Sequence, residues 1–107
     1  MRMEFIPDGL QVWLVGELDH HAARDLREQI DAAIERCKVK RLRLDFSEVS
    51  FMDSSGIGLV MGRYRLMKAR GGELRVVGAD ERVQKVMRLA GLEKLGVLGE
   101  TDVPARR

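Results

Sequence analysis

The sequence predicts one α/β domain with a small mixed sheet: an antiparallel first hairpin, then parallel strands, with helices mainly on one face. Strand-like and helical segments alternate along most of the chain, which is typical of parallel strands joined by crossover helices. Only a short turn separates the first two strand-like segments, so these should pair antiparallel. The later strand-like segments alternate apolar and charged residues, which indicates one covered sheet face and one wetter face.

The length of 107 residues predicts a single domain over residues 1–107, with a core at about residues 3–98 and a polar tail at 99–107. No apolar run approaches the roughly 18 residues of a membrane span, and no segment reads as a signal peptide. Cys37 is the one cysteine, which favours the reducing cytoplasm. The net charge is +2, but basic and acidic residues are interleaved, so we expect neither nucleic acid nor a membrane as partner.

The first half of the chain predicts a hairpin and a helix. Residues 3–6 and 11–15 are strand candidates around the Pro-Asp-Gly turn at 7–9. Residues 16–19 interrupt the strand pattern, and Asp19 is a candidate helix cap. The apolar stripe of the helix that follows comprises Ala23, Leu26, Ile30, Ala33, Ile34 and Cys37.

The next strands are predicted over residues 41–46 and 73–77, both with alternating polarity. Trp13 is expected on the less covered sheet face, stacked on an arginine stem. Asp80 is a candidate cap for a last helix, and residues 95–98 are a candidate edge strand. The buried stripe of the last helix should contain Val83, Val86, Met87 and Ala90.

The stretch from 51 to 72, FMDSSGIGLVMGRYRLMKARGG, predicts the central helix of the domain. Asp53, Ser54 and Ser55 are residue types that accept hydrogen bonds from amides at a helix start. Three glycines, Gly56, Gly58 and Gly62, should each cost about 1 kcal/mol of helix stability. Close packing on the sheet, or close approach by a partner, would offset that cost.

The loops at 16–19, 47–55 and 78–80 all follow strands, so they should gather at the carboxyl edge of the sheet, where open α/β sheets place their sites. A serine hydroxyl at this edge, at the positive end of a helix, is a favourable position for a phosphoryl group. Arginine on a partner would suit the edge, because it carries the acidic residues Glu17, Asp19, Glu48, Asp53 and Asp80.

Several other interpretations of these residues stay open or are rejected. Taken alone, the positions of Ser54 and Ser55 favour simple helix caps. A small hydrolase using Ser54 with His20 or His21 is the least favoured alternative, because the G-x-S-x-G elbow is absent. Adjacent histidines point about 100° apart on a helix, so no metal site is predicted. The glycine spacing also fails to match a dinucleotide fingerprint.

Three motifs together resemble a known family. They are GELDHH at 16–21, FMDSSGIG at 51–58 and GRY at 62–64. In their order and spacing the chain resembles the STAS domain family and, within it, the anti-sigma F factor antagonists of endospore-forming bacteria. The resemblance covers roughly residues 3–98 and implies the STAS fold.

The resemblance implies a sporulation regulator of transcription that is not an enzyme and needs no cofactor. In this family the serine after the aspartate, Ser54 here, is phosphorylated by the anti-sigma factor, a serine kinase that uses ATP. The unphosphorylated antagonist binds the kinase, in its ATP-bound or ADP-bound form, and releases the sigma factor. A serine phosphatase reverses the modification. We expect a cytoplasmic phosphoprotein that is monomeric when free.

The expected partner-binding residues are Glu17, Asp19, Met52, Asp53, Ser54, Ser55, Gly56 and Ile57. Phe51 is a further apolar candidate, although the core is an equally good place for Phe51 and Ile57. Partner switching would then act by direct steric and electrostatic blocking at Ser54. The alternative is a STAS module that serves a different partner, in stress-response or transporter regulation.

Overall fold

Four strands and three helices make up the computed structural model, which describes residues 1–98. The sheet has the order β1-β2-β3-β4, with β1 antiparallel to β2 and the other pairs parallel, so the predicted mixed sheet is confirmed. A short 3₁₀ helix, Leu92–Leu95, follows the last α-helix. The elements are β1 (Arg2–Ile6), β2 (Gly9–Leu18), α1 (His20–Cys37), β3 (Arg41–Met52), α2 (Ser54–Ala69), β4 (Glu73–Val77) and α3 (Glu81–Leu89). None of the described helices is long and apolar enough to cross a membrane.

The first hairpin turns at Asp8, whose left-handed backbone (φ 64°) is a conformation that aspartate tolerates better than most residues. The carbonyl oxygen of Asp8 accepts hydrogen bonds from the amides of Lys40 (3.1 Å) and Arg41 (3.0 Å). The turn is therefore fastened to the beginning of β3, which fixes the hairpin at the amino edge of the sheet.

The two central strands are longer than the sequence predicted. The break expected at residues 16–19 is wrong, because β2 continues to Leu18, and the loop expected from residue 47 is wrong, because β3 continues to Met52. Gly16 has a positive φ of 88°, and the pairing of β2 with β3 shifts register on both sides of Val15 and Gly16. These irregularities interrupt the alternation of apolar and polar residues without ending either strand.

The sheet has one face covered by the core and one open face. Side chains of β2, β3 and β4 that face the helices are almost fully buried, and they include Leu10, Val12, Leu14, Leu42, Leu44, Phe46, Leu74 and Val76. Trp13 lies on the opposite face, and the guanidinium carbon of Arg2 sits 3.9 Å from its ring centroid. The predicted arginine stacking on Trp13 is therefore confirmed, with cation–π geometry.

Two details of the helical predictions and the predicted last strand are wrong. Cys37 is exposed, because it is the last residue of α1 and the buried stripe ends one turn earlier at Ile34. Ala90 is exposed as the residue that caps α3. Residues 95–98 form no edge strand: Gly96 (φ 73°) ends the 3₁₀ helix, and only a single bridge, Val76 with Leu98, pairs this segment with β4. The tail expected at 99–107 lies outside the described residues.

A buried ion pair joins α1 to α2. Arg63 is 6% exposed, and its Nε lies 2.8 Å from Oδ1 of Asp31, although the N–H is not aimed at that oxygen. Burial raises the pKa of the Asp31 carboxyl above its ordinary value, and this effect exceeds the lowering by the Arg63 guanidinium. Burial likewise lowers the pKa of Arg63. For both groups, burial therefore has a larger effect on the pKa than the partner charge does.

We predict that removing the charge of Asp31 alone destabilises the protein more than replacing both charges of the pair. Asp31→Ala should lower the free energy of unfolding by about 2–4 kcal/mol, because it leaves Arg63 buried without a counter-charge. Arg63→Met should cost less, roughly 0–1.5 kcal/mol, because the half-exposed carboxylate of Asp31 then hydrates. Urea unfolding of both variants and of Asp31→Leu/Arg63→Met measures this. A double variant less stable than Asp31→Ala would contradict the prediction.

Candidate functional site

Three aspartates begin the three helices at the carboxyl edge of the sheet. Each side chain accepts a hydrogen bond from an amide in the first helical turn: Asp19 from Ala22 (3.0 Å), Asp53 from Ser55 (2.8 Å) and Asp80 from Val83 (2.9 Å). Each therefore satisfies an otherwise unpaired amide and places negative charge at the positive end of a helix. The prediction of caps at Asp19 and Asp80 is confirmed.

The cap of α2 is Asp53 alone. Its backbone is extended, and Ser54 is the first helical residue. The amide of Ser55 donates to Asp53, so the alternative in which Ser54 or Ser55 serves as the cap is wrong. The side chain of Ser54 is exposed, whereas Ser55 is half-buried. The local geometry thus leaves the Ser54 hydroxyl facing solvent at the start of a 16-residue helix.

Gly56 sets how closely α2 approaches the sheet. A Cβ added at Gly56 would overlap Cγ of Met52 and lie 2.7 Å from its Sδ. Met52 is itself only 6% exposed and forms part of the floor of a shallow groove. Both residues were predicted to contact a partner. The structure places them beneath the surface, where they hold the first turn of α2 against the end of β3.

The other predicted contact residues lie nearer the surface around Ser54. Glu17 is exposed on β2, and the sheet register sets it beside Phe51 of β3. Phe51 is 50% exposed, so the surface alternative for this residue is the correct one. Ile57 is half-buried on α2 and packs against the core.

A groove of about 460 Å³ between α1 and α2 was not predicted. Ser55, Gly58 and Leu59 of α2 form one wall, and His20, Ala23, Arg24 and Arg27 of α1 form the other. His20 therefore shares this groove with Ser55 and not with Ser54, which was the serine of the hydrolase alternative. The spacing of His20, Arg24 and Arg27 by four and three residues is the sequence signal for this basic wall. The same spacing is common on solvated helices, so it does not stand out.

The comparisons with known proteins agree with this architecture. The STAS domain model matches residues 1–102, and the chain belongs to the STAS domain family. Within that family it is similar to the anti-sigma F factor antagonist of Paenibacillus polymyxa, with 37% identity over 105 residues that cover 98% of this chain and 90% of the relative. The family resemblance deduced from the three motifs is thereby confirmed.

Two solved structures extend the similarity to three dimensions. The unphosphorylated form of the anti-sigma factor antagonist SpoIIAA matches with a TM-score of 0.82 and 35% identity, covering 92% of this chain and 84% of that chain. The phosphorylated form of the Bacillus cell fate determinant SpoIIAA matches with a TM-score of 0.75 and 34% identity, covering 92% and 87%. The Paenibacillus polymyxa relative and the unphosphorylated structure are both named as antagonists of an anti-sigma factor, which is a regulatory role and not an enzymatic one.

The three glycines of α2 should respond differently to alanine. Gly56→Ala should destabilise the protein by about 1–3 kcal/mol, because the methyl group collides with Met52. A Cβ at Gly58 or Gly62 meets nothing within 4 Å, so Gly58→Ala and Gly62→Ala should each stabilise it, by up to about 1 kcal/mol. Thermal and urea unfolding of the three variants measures this order. A Gly58→Ala variant as unstable as Gly56→Ala would contradict it.

Proposed function

We propose that the protein is an anti-sigma factor antagonist controlled by phosphorylation of Ser54. The unphosphorylated form binds the anti-sigma factor, a serine kinase, and thereby releases the sigma factor. Phosphorylated Ser54 prevents that binding until a serine phosphatase removes the group. The similarity to the antagonist of Paenibacillus polymyxa over nearly the whole chain supports the role. The DSSG segment at the start of α2 supports the choice of Ser54.

One observation carries the proposal: the hydroxyl of Ser54 is exposed on a helix start that is already complete without it. Asp53 caps the helix, and Gly56 seats it on the sheet, so Ser54 has no structural duty that modification would disturb. Around it lie the exposed Glu17 and the half-buried Asp53 and Ile57. A kinase that recognises this surface would find the acceptor hydroxyl at its centre.

The hydrogen bonds of the helix start support blocking without a change of fold. The amide of Ser55 is bonded to the side chain of Asp53, and the amide of Gly56 donates to the carbonyl oxygen of Asp53 (3.0 Å). A phosphoryl group on Ser54 would find these amides occupied. Its charge of about −1.5 to −2 would project towards solvent beside Asp53. A partner surface seated there would be obstructed, and its apolar part would have to remove this charge from water.

The similarity to both forms of SpoIIAA is in keeping with this mechanism, since the unphosphorylated and the phosphorylated structure each match 92% of this chain. The proposal includes a cytoplasmic protein, monomeric when free, that takes part in the control of sporulation. Its kinase would present bound ATP or ADP next to Ser54. The antagonist itself supplies only the acceptor hydroxyl and the contact surface.

The test is incubation of the purified protein with the anti-sigma factor kinase of the same genome and ATP, followed by intact-mass and peptide mass measurement. We expect one added phosphoryl group on Ser54, absent from Ser54→Ala and still present in the matched control Ser55→Ala. In a binding assay with ATP, Ser54→Ala should stay bound, and Ser54→Asp should bind at least about tenfold more weakly, or about 1.4 kcal/mol.

Two outcomes would refute the assignment of Ser54. The first is equal affinity of Ser54→Ala and Ser54→Asp for the kinase. The second is phosphorylation that persists in Ser54→Ala and disappears in Ser55→Ala, which would move the switch to the neighbouring serine.

A further inference from the structure

The open face of the sheet divides into two halves that differ in how their charges are satisfied. In the half nearer the amino ends of the parallel strands, Glu73 lies 3.6 Å from Nε of Arg41 and 4.0 Å from Nε of Arg75. On β1 and β2, Arg2 covers the ring of Trp13. These charged and aromatic side chains have partners within the chain, and we call this part of the open face the self-contained half.

The half nearer the carboxyl ends is different. Val15 and Glu17 of β2 pair in register with Glu48 and Phe51 of β3, and all four residues are exposed. The register shift between Gly16 and Glu17 adds one residue on β3, so Glu48 and Phe51 are three residues apart and both lie on the open face. We call these four residues the open-face patch. Val15 is 54% exposed and Phe51 is 50% exposed. Within residues 1–98, neither Glu17 nor Glu48 has a basic group within 4.0 Å.

The patch therefore alternates two exposed apolar side chains with two carboxylates that lack counter-charges. Phe51 also forms a wall of a groove of about 180 Å³ with Val83 and Val86 of α3, which continues the apolar surface beyond β3. Arg82 lines that groove without pairing with either glutamate. An exposed aromatic ring beside unpaired acids is an arrangement that the fold itself does not use.

The chemistry of the patch selects a partner of one kind. Carboxylates repel nucleic acid and anionic lipid, but they bind guanidinium groups through charge-assisted hydrogen bonds. The guanidinium plane also stacks on an aromatic ring such as that of Phe51. Arginine and aromatic anchors dominate the energy of many protein interfaces. An apolar protein surface that carries arginine is therefore complementary to both the carboxylates and the apolar side chains of the patch.

The patch is continuous with the surface around Ser54. Phe51 is two residues before Asp53, the cap of α2, and β3 ends between them at Met52. Glu17 is two residues before Asp19, the cap of α1. A partner centred on Ser54 thus meets the open-face patch without a gap, at the same edge of the sheet.

We propose that the open-face patch of Val15, Glu17, Glu48 and Phe51 is a second part of the kinase-binding surface, which receives an arginine-bearing apolar segment of the anti-sigma factor. This inference rests on the proposed function, since it names the same partner. It adds a region of the sheet that carries no phosphorylation site. Phosphorylation at Ser54 would obstruct the part of the interface around that residue, and the patch would supply affinity in the adjoining part.

Two exposed residues of the patch have matched controls in the same chain. Phe51→Ala is compared with Phe5→Ala, because Phe5 is 51% exposed on β1, away from the patch. Glu48→Lys is compared with Arg43→Glu, a charge change of equal size and opposite sign on the same strand and face, in the self-contained half. Val15→Ser is a third, milder variant. Circular dichroism and urea unfolding verify that each variant is folded before binding is measured.

The measurement is the affinity of the full chain for the anti-sigma factor kinase of the same genome, by titration calorimetry at low and at high salt. We expect Phe51→Ala and Glu48→Lys each to weaken binding by about tenfold or more, with both controls within about twofold of wild type. The effect of Glu48→Lys should shrink as salt increases, whereas that of Phe51→Ala should not.

The possible failures are distinguishable. If wild type binds and Ser54→Asp does not, but all patch variants bind as wild type, the patch is overturned and the Ser54 switch stands. If the control variants weaken binding as much as the patch variants, the assignment to this half of the face is overturned. If wild type does not bind the kinase at all, the proposed function and the patch both fall.

Discussion

The missing side chain of Gly56 is the constraint on which the functional edge depends. Because no Cβ is present, the first turn of α2 packs directly on Met52 at the end of β3, with Leu18 of β2 next to it. This contact fixes where the helix begins. Asp53 is then held in the extended conformation that lets it cap the helix, and the hydroxyl of Ser54 faces solvent. The candidate site is thus a product of packing beneath it rather than of contacts among its own side chains.

Local patterns predicted most of the fold. The three helices, the antiparallel hairpin and the parallel direction of the later strands follow from apolar periodicity and turn residues, which depend on neighbours in the chain. The ends of β2 and β3 could not be predicted, because Gly16 and the register shifts break the alternation inside strands that pairing holds together. That error mattered for function, since it assigned Glu48 to a loop and left Val15 unremarked.

Some residues of the site could be predicted from the sequence, and others could not. Ser54 and Asp53 stand out because a helix start has a recognisable set of residues. The burial of Met52 and the exposure of Phe51 could not be predicted, because the two apolar residues are adjacent in the sequence. The register of β3 against β2 decides which of these side chains points into the core. The burial of Arg63 could not be predicted, because its ion-pair partner Asp31 lies on another helix.

The completeness of the helix start without Ser54 has a consequence for timing. A segment that must fold or melt when it is modified responds no faster than that rearrangement. Here Asp53 already caps α2, and Gly56 already packs against Met52 at the end of β3. On the proposed function, the delay between a signal and its effect on transcription would be determined by enzyme turnover and by dissociation of the complex. Mutations that alter the stability of this domain by a modest amount would change the abundance of the protein before they change its response time.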